Sequence, residues 1–248
     1  MVAIALILAV LVGIALGLLG GGGSILTVPI LAYVAGLETK AAVVGSLLVV
    51  AVTSGAAVIA HARAGRVRWR TGAIFGGAGV GGALIGGRLG QHVSDHVLLA
   101  LLAVLMAVSA IVMLRPRRQA SATVERDVPL LAALGLGAAF GVVTGLLGAG
   151  GGFLVVPALV GLAAMPIEIA IGTSLLIITI NSTAGLLGRL DQGHIDWPVT
   201  LAFTGIAVVG SIIGARLASA VSPTALRRGF GIFVIVMAAL ILTKELLA

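Results

Sequence analysis

The chain has no cysteine among its 248 residues, which excludes disulfides, thiolate metal sites and thiol catalysis. Charge is scarce as well. Only 9% of the residues are charged, 15 basic against 8 acidic, where a soluble domain carries about 25%. The few charges are clustered: residues 1–37, 41–62, 71–87, 96–114, 128–167, 169–188 and 197–215 hold no Asp, Glu, Lys or Arg. Uncharged apolar runs of about 18 or more residues read as membrane spans. A soluble enzyme, a nucleic-acid binder and a disordered chain are thereby excluded, and the lipid bilayer is the first expected partner. A β-barrel is excluded because the runs are continuously apolar rather than alternating. The net charge of +7 fits basic loops that hold a membrane protein in place, with no nucleic-acid partner. Met1–Gly17 lacks the positive n-region of a signal peptide and reads as a retained first helix. The Arg, Ala and Gly bias points to a multi-pass protein of a prokaryotic inner (cytoplasmic) membrane.

An internal repeat organises the rest. Residues 17–31, GLLGGGGSILTVPIL, and 145–159, GLLGAGGGFLVVPAL, agree at 10 of 15 positions. The offset of 128 pairs Ser46 with Ser174, Gly65 with Gly193, Trp69 with Trp197, Gly86 with Gly214, Arg88 with Arg216 and Ser94 with Ser222. The chain divides into a first transmembrane repeat, 1–114, a basic cytoplasmic linker, 115–127 (RPRRQASATVERD), and a second repeat, 128–248. Each half holds five apolar segments, at 2–19, 24–37, 41–60, 71–88 and 97–114, and at 130–147, 152–165, 169–188, 198–215 and 226–243. The second of each set is short. At 1.5 Å per residue, 14 residues reach about 21 Å, against a hydrocarbon core of about 30 Å.

If those short segments cross, the halves are inverted. If they re-enter, the halves are parallel, 4+4. The loop HARAGRVRWR (61–70) carries four Arg and no acid, whereas its second-half equivalent RLDQGHIDW (189–197) carries one Arg and two Asp. The next connection there carries Arg216, Arg227 and Arg228. Basic loops face the cytoplasm, and this one has moved by a helix between the halves. The expected fold is therefore an all-α polytopic membrane protein of inverted-topology repeats, with both termini outside. Its glycine-rich broken helices are expected to meet near the midplane.

The strongest chemical signal is the matched pair of loops Gly20-Gly21-Gly22-Gly23-Ser24 and Gly148-Ala149-Gly150-Gly151-Gly152, followed by Pro29 and Pro157. Such runs hold a straight helix poorly. Non-helical backbone at membrane depth survives only where protein or a wet cavity satisfies it. A helix leaving such a loop points unpaired N–H groups and partial positive charge at the cavity, a geometry that suits anions. The small residues also let a ligand approach the backbone.

These loops, with VVGSLL (43–48), IGTSLL (171–176), the HxRxG pattern of His61-Ala62-Arg63-Ala64-Gly65, and the late elements GGALIGGRL (81–89) and GSIIGARL (210–217), resemble the sulfite exporter TauE/SafE family of membrane permeases. The resemblance covers nearly the whole chain. It implies export or uptake of small sulfur oxyanions or organosulfonates, such as sulfite or sulfoacetate, without ATP hydrolysis. At the position equivalent to His61 the second half has Arg189, a departure from the HxRxG pattern.

The third segments add Ser46, Thr53 and Ser54, matched by Ser174, Asn181 and Ser182. Spacings of 7 and 8 put each set on one helical face. Hydroxyls and an amide can donate to an oxyanion without a buried charge. The substrate-binding candidates are thus both glycine loops, Ser46, Thr53, Ser174 and Asn181. Arg88, Arg216 and His61 are candidates for steering anions or anchoring helix ends. No acid falls inside an expected span, which argues against a cation exchanger. The expected activity is secondary transport of a small anion by alternating access, without enzyme activity, cofactor or metal. An anion channel of the same shape and, distantly, an intramembrane serine hydrolase are the alternatives. A coupling ion, proton or sodium, and a homo-oligomer stay open.

Overall fold

The computed structural model describes residues 2–21, 23–114, 130–148, 152–189 and 196–218, with scattered positions between 220 and 243. The linker 115–127, the loop positions 190–195, and Gly22, Ala149, Gly150 and Gly151 lie outside the described residues, as does most of the expected segment 226–243. Every regular element among the described residues is helical. The first half contains α1 (Val2–Leu19), α2 (Ser24–Pro29) with a π-helical turn (Ile30–Val34), α3 (Thr39–Arg63), α4 (Trp69–Leu89) and α5 (Asp95–Leu114). The second contains α6 (Leu130–Leu147), α7 (Gly152–Leu162), α8 (Ile167–Leu187) and α9 (Trp197–Leu217). Of these, α3, α6, α8 and α9 are long and apolar enough to cross a membrane. Large apolar side chains such as Ile7 and Leu131 face outward, as lipid contact requires.

Local chemistry explains the helix ends. α1 and α6 stop at Gly20 and Gly148, with φ of +65° and +67°, a left-handed conformation that costs a side-chain-bearing residue about 1–2 kcal/mol. Their N–H groups close the last turns on Leu16 O at 2.9 Å and Thr144 O at 3.0 Å. Pro29 cannot donate, and the chain widens beyond it into a π turn closed by Ala35 N–H on Ile30 O at 2.9 Å. α9 starts on Asp196, whose Oδ1 accepts from Val199 N–H at 3.1 Å.

Pairing between helices repeats at the offset of 128. α1 packs along α9, and α4 along α6. Gly13 and Gly17 lie against the carbonyls of Ala207 and Ser211, and Gly141 and Gly145 against those of Gly79 and Ala83. From the other side, Gly210 and Gly214 meet Val10 and Ile14, and Gly82 and Gly86 meet Ala138 and Val142. A β-carbon at any of these eight glycines would overlap backbone. Four GxxxG pairs therefore let the helices approach to backbone contact, where dispersion and not hydrophobicity holds membrane helices together. A four-residue advance along α1 matches a four-residue advance along α9, so the two run parallel, and α4 runs parallel to α6 in the same way. α3 and α8, the most buried of the four long apolar helices, run oppositely, because Gly55 faces Thr179 while Gly185 faces Leu47.

Candidate substrate site at the glycine loops

The two glycine loops meet. Gly21 lies against Gly152, near enough that a β-carbon on either would fall within 2.6 Å of the other's backbone. Ile178 of α8 packs on Gly152 from the side. α2 and α7 thus begin from one junction, flanked by α3 and α8. Ser24 is fully buried there and donates to Gly21 O at 2.6 Å.

Each loop is pinned by the other half. Ser174 of α8 donates to Gly20 O at 2.6 Å, and Ser46 of α3 donates to Gly148 O. Gly20 also lies on the backbone of Ile171, and Gly148 on that of Val43, again 128 positions apart. A hydroxyl has one proton. In this arrangement Ser46 and Ser174 spend theirs on carbonyls, so these two side chains hold the loops and keep only lone pairs free.

Deeper along α3 and α8 the polar residues divide. Thr53 returns its proton to Val49 O at 2.6 Å, a bond within its own helix. Asn181, at the equivalent position, is fully buried against Gly79 with neither end of its amide partnered. The equivalent hydroxyls Ser54 and Ser182 are also buried without a partner. Each unpaired buried polar group costs about 1–3 kcal/mol, which a ligand or water would recover. Sequence reading placed Asn181 here. Ser54 and Ser182 stand on the same polar faces in the sequence but outside the substrate-binding candidates named there.

The three residues expected to steer anions or anchor helix ends part company. Arg88 and Arg216 end α4 and α9 with exposed side chains. His61 is buried, with Nε2–H donating to Gly17 O at 2.9 Å. Arg189, where the sequence pattern breaks, is also buried and makes the equivalent bonds, from Nε to Gly145 O at 3.0 Å and from Nη2 to Leu146 O at 2.8 Å. Burial pushes Arg189 down to about 10, so it remains a cation at neutral pH. His61 was legible as a helix-end candidate in the HxRxG pattern, but its burial was not, because burial of a helix-end residue leaves no mark on composition.

An open depression of about 460 Å³ lies between Ala32, Tyr33, Leu37, Glu38, Thr39 and Lys40 and contains none of the candidate residues. No group of three His, Asp or Glu suited to a metal occurs among the described residues.

The sulfite exporter TauE/SafE family matches residues 5–241. A probable membrane transporter protein of Xylella fastidiosa (strain 9a5c) is 38% identical over 244 residues, covering 95% of this chain and 92% of the relative. The probable membrane transporter protein YunE of Bacillus subtilis (strain 168) is 28% identical, over 86% of this chain and 87% of its own. One from Methanocaldococcus jannaschii is 25% identical, over 89% of each. No solved structure matches the chain. With the family spanning nearly every residue, the chain belongs to the sulfite exporter TauE/SafE family of membrane transporters.

Proposed function

We propose that this chain moves a small oxyanion, a sulfur oxyanion or organosulfonate such as sulfite or sulfoacetate, across a prokaryotic cytoplasmic membrane by alternating access. The observation that carries the reading is the meeting of the two glycine loops at Gly21 and Gly152. The backbone at Gly21 and the N-terminus of α7 at Gly152 then face one site, as in transporters built from broken helices. The unpartnered amide of Asn181 and the hydroxyls of Ser54 and Ser182 supply neutral donors that stabilise an anion without a buried cation. The parallel pairs α1/α9 and α4/α6 and the antiparallel pair α3/α8 support repeats of inverted topology. Equivalent helices run oppositely only when the axis relating them lies across the helices, in the membrane plane.

The test is thermal unfolding of the purified protein with sulfite, sulfate, thiosulfate, sulfoacetate, taurine and phosphate at matched ionic strength. A ligand that binds only the folded state adds about 2.7 kcal/mol at 100 times its Kd. For a chain of this size the melting temperature should then rise by roughly 5–10 °C. One sulfur anion should give that rise, and Asn181→Leu should remove it while the protein still melts cooperatively. Equal shifts with every anion would reject a specific site. Conductance that never saturates with concentration would point to a channel.

A further inference from the structure

We propose that His61 and Arg189 are equivalent positioning residues. Each fixes the carbonyl end of the helix from which its own half's glycine loop departs, and each is matched in size to the residue beneath it. The inference rests on the glycine loops being the substrate site, but its geometry stands apart from any substrate. His61 closes α3 and reaches Gly17 O, three residues before Gly20. Arg189 follows α8 and reaches Gly145 O and Leu146 O, three and two residues before Gly148. The four last carbonyls of a helix have no partner within it, and a donor placed there also meets the negative end of the helix dipole.

The two clamps differ in bulk, and the structure accommodates the difference. A β-carbon at Gly90 would fall on the Arg189 guanidinium and within 3.1 Å of Leu146 O. Gly90 of the first half thus lies under the clamp of the second, and at the position 128 residues later stands Ala218, which is buried. The observed set is Arg189 with Gly90; the 128-residue offset assigns Ala218 to His61 as its counterpart. The break in the HxRxG pattern at Arg189 is then a second solution to one task.

The chain has no cysteine, so a single introduced thiol can report on each loop. Ser174→Cys sits against Gly20 O of the first loop and Ser46→Cys against Gly148 O of the second. The measurement is the maleimide labelling rate of full-length protein in liposomes, at one fixed pH and without substrate. His61→Leu should raise labelling at Ser174→Cys about tenfold and leave Ser46→Cys within about twofold, as loss of one buried hydrogen bond implies. Arg189→Leu should do the reverse. Gly90→Ala should act like Arg189→Leu, and adding Arg189→His should reverse it. A general loss of structure would raise both thiols together. Equal rises at both, a rise at neither, or no reversal by Arg189→His would overturn the proposal. Loop-selective labelling without any anion flux would leave the clamps standing and sink only the transporter reading.

Discussion

Leucine in place of Gly17 or Gly145 is expected to prevent the helix bundle from closing. Both glycines lie on backbone, Gly17 on the Ser211 carbonyl and Gly145 on that of Ala83. Overpacking usually costs about 1–3 kcal/mol because side chains yield. Here nothing flexible stands opposite, so the helix axes must separate. Separation also opens the neighbouring GxxxG contacts along α1/α9 or α4/α6, and with them the dispersion that holds helices together in lipid. The loss should exceed about 3 kcal/mol and take the monodisperse peak in size exclusion with it. Gly77 and Gly81 of α4 are the internal controls, with no atom within 4 Å of an added β-carbon. Alanine at either should stabilise by about 0.5–1 kcal/mol through helix propensity. A Gly17→Leu protein that melts within about 2 °C of the parent would show that the backbone contact is not what joins α1 to α9.

Those glycines also mark how far the sequence could be read. Helix boundaries were legible because apolar runs and charge-free stretches have lengths of their own. α1 and α6 begin and end where the runs do, and α8 and α9 differ from the expected 169–188 and 198–215 by one or two residues. The glycine loops were legible because two copies stand at matched positions. Partners were not legible. Gly13, Gly17, Gly141 and Gly145 show a spacing that permits close packing, but nothing in the spacing says that α1 pairs with α9 and not with its own neighbour. The same holds for Ser46 and Ser174. Their helical face was clear, while the acceptors, loop carbonyls more than 100 residues away, exist only once the halves intertwine. His61 and Arg189 looked unlike because sequence reading compares chemistry. The fold compares reach and donor, and by that measure the two are alike. The short second segment was expected at 24–37 without its interruption. The widened turn after Pro29 needs the missing N–H to be weighed against burial of the whole segment.

Leucine at Gly152 is expected to abolish anion flux, and leucine at Gly21 to do the same. At position 152 the new side chain would enter the volume of Ile178 and of the Gly21 backbone. At position 21 it would also sit on a backbone with φ of +130°, a conformation that side chains rarely adopt. Neither glycine carries a donor or acceptor beyond its backbone, so the effect would come from displaced loops and not from lost side-chain chemistry. A shift of about 1 Å in positioned groups costs on the order of 10²-fold in rate, and a leucine here demands more than that. Flux of the anion that stabilises the parent should therefore fall by at least about 100-fold in proteoliposomes, with the protein still inserted. Ser46→Ala and Ser174→Ala should slow flux to a smaller and mutually similar degree, because each removes one pin from one loop. The similarity is the sharper test. If Ser174→Ala were silent while Ser46→Ala stopped transport, the loops would not act as a pair, and the site would belong to the second-half loop alone.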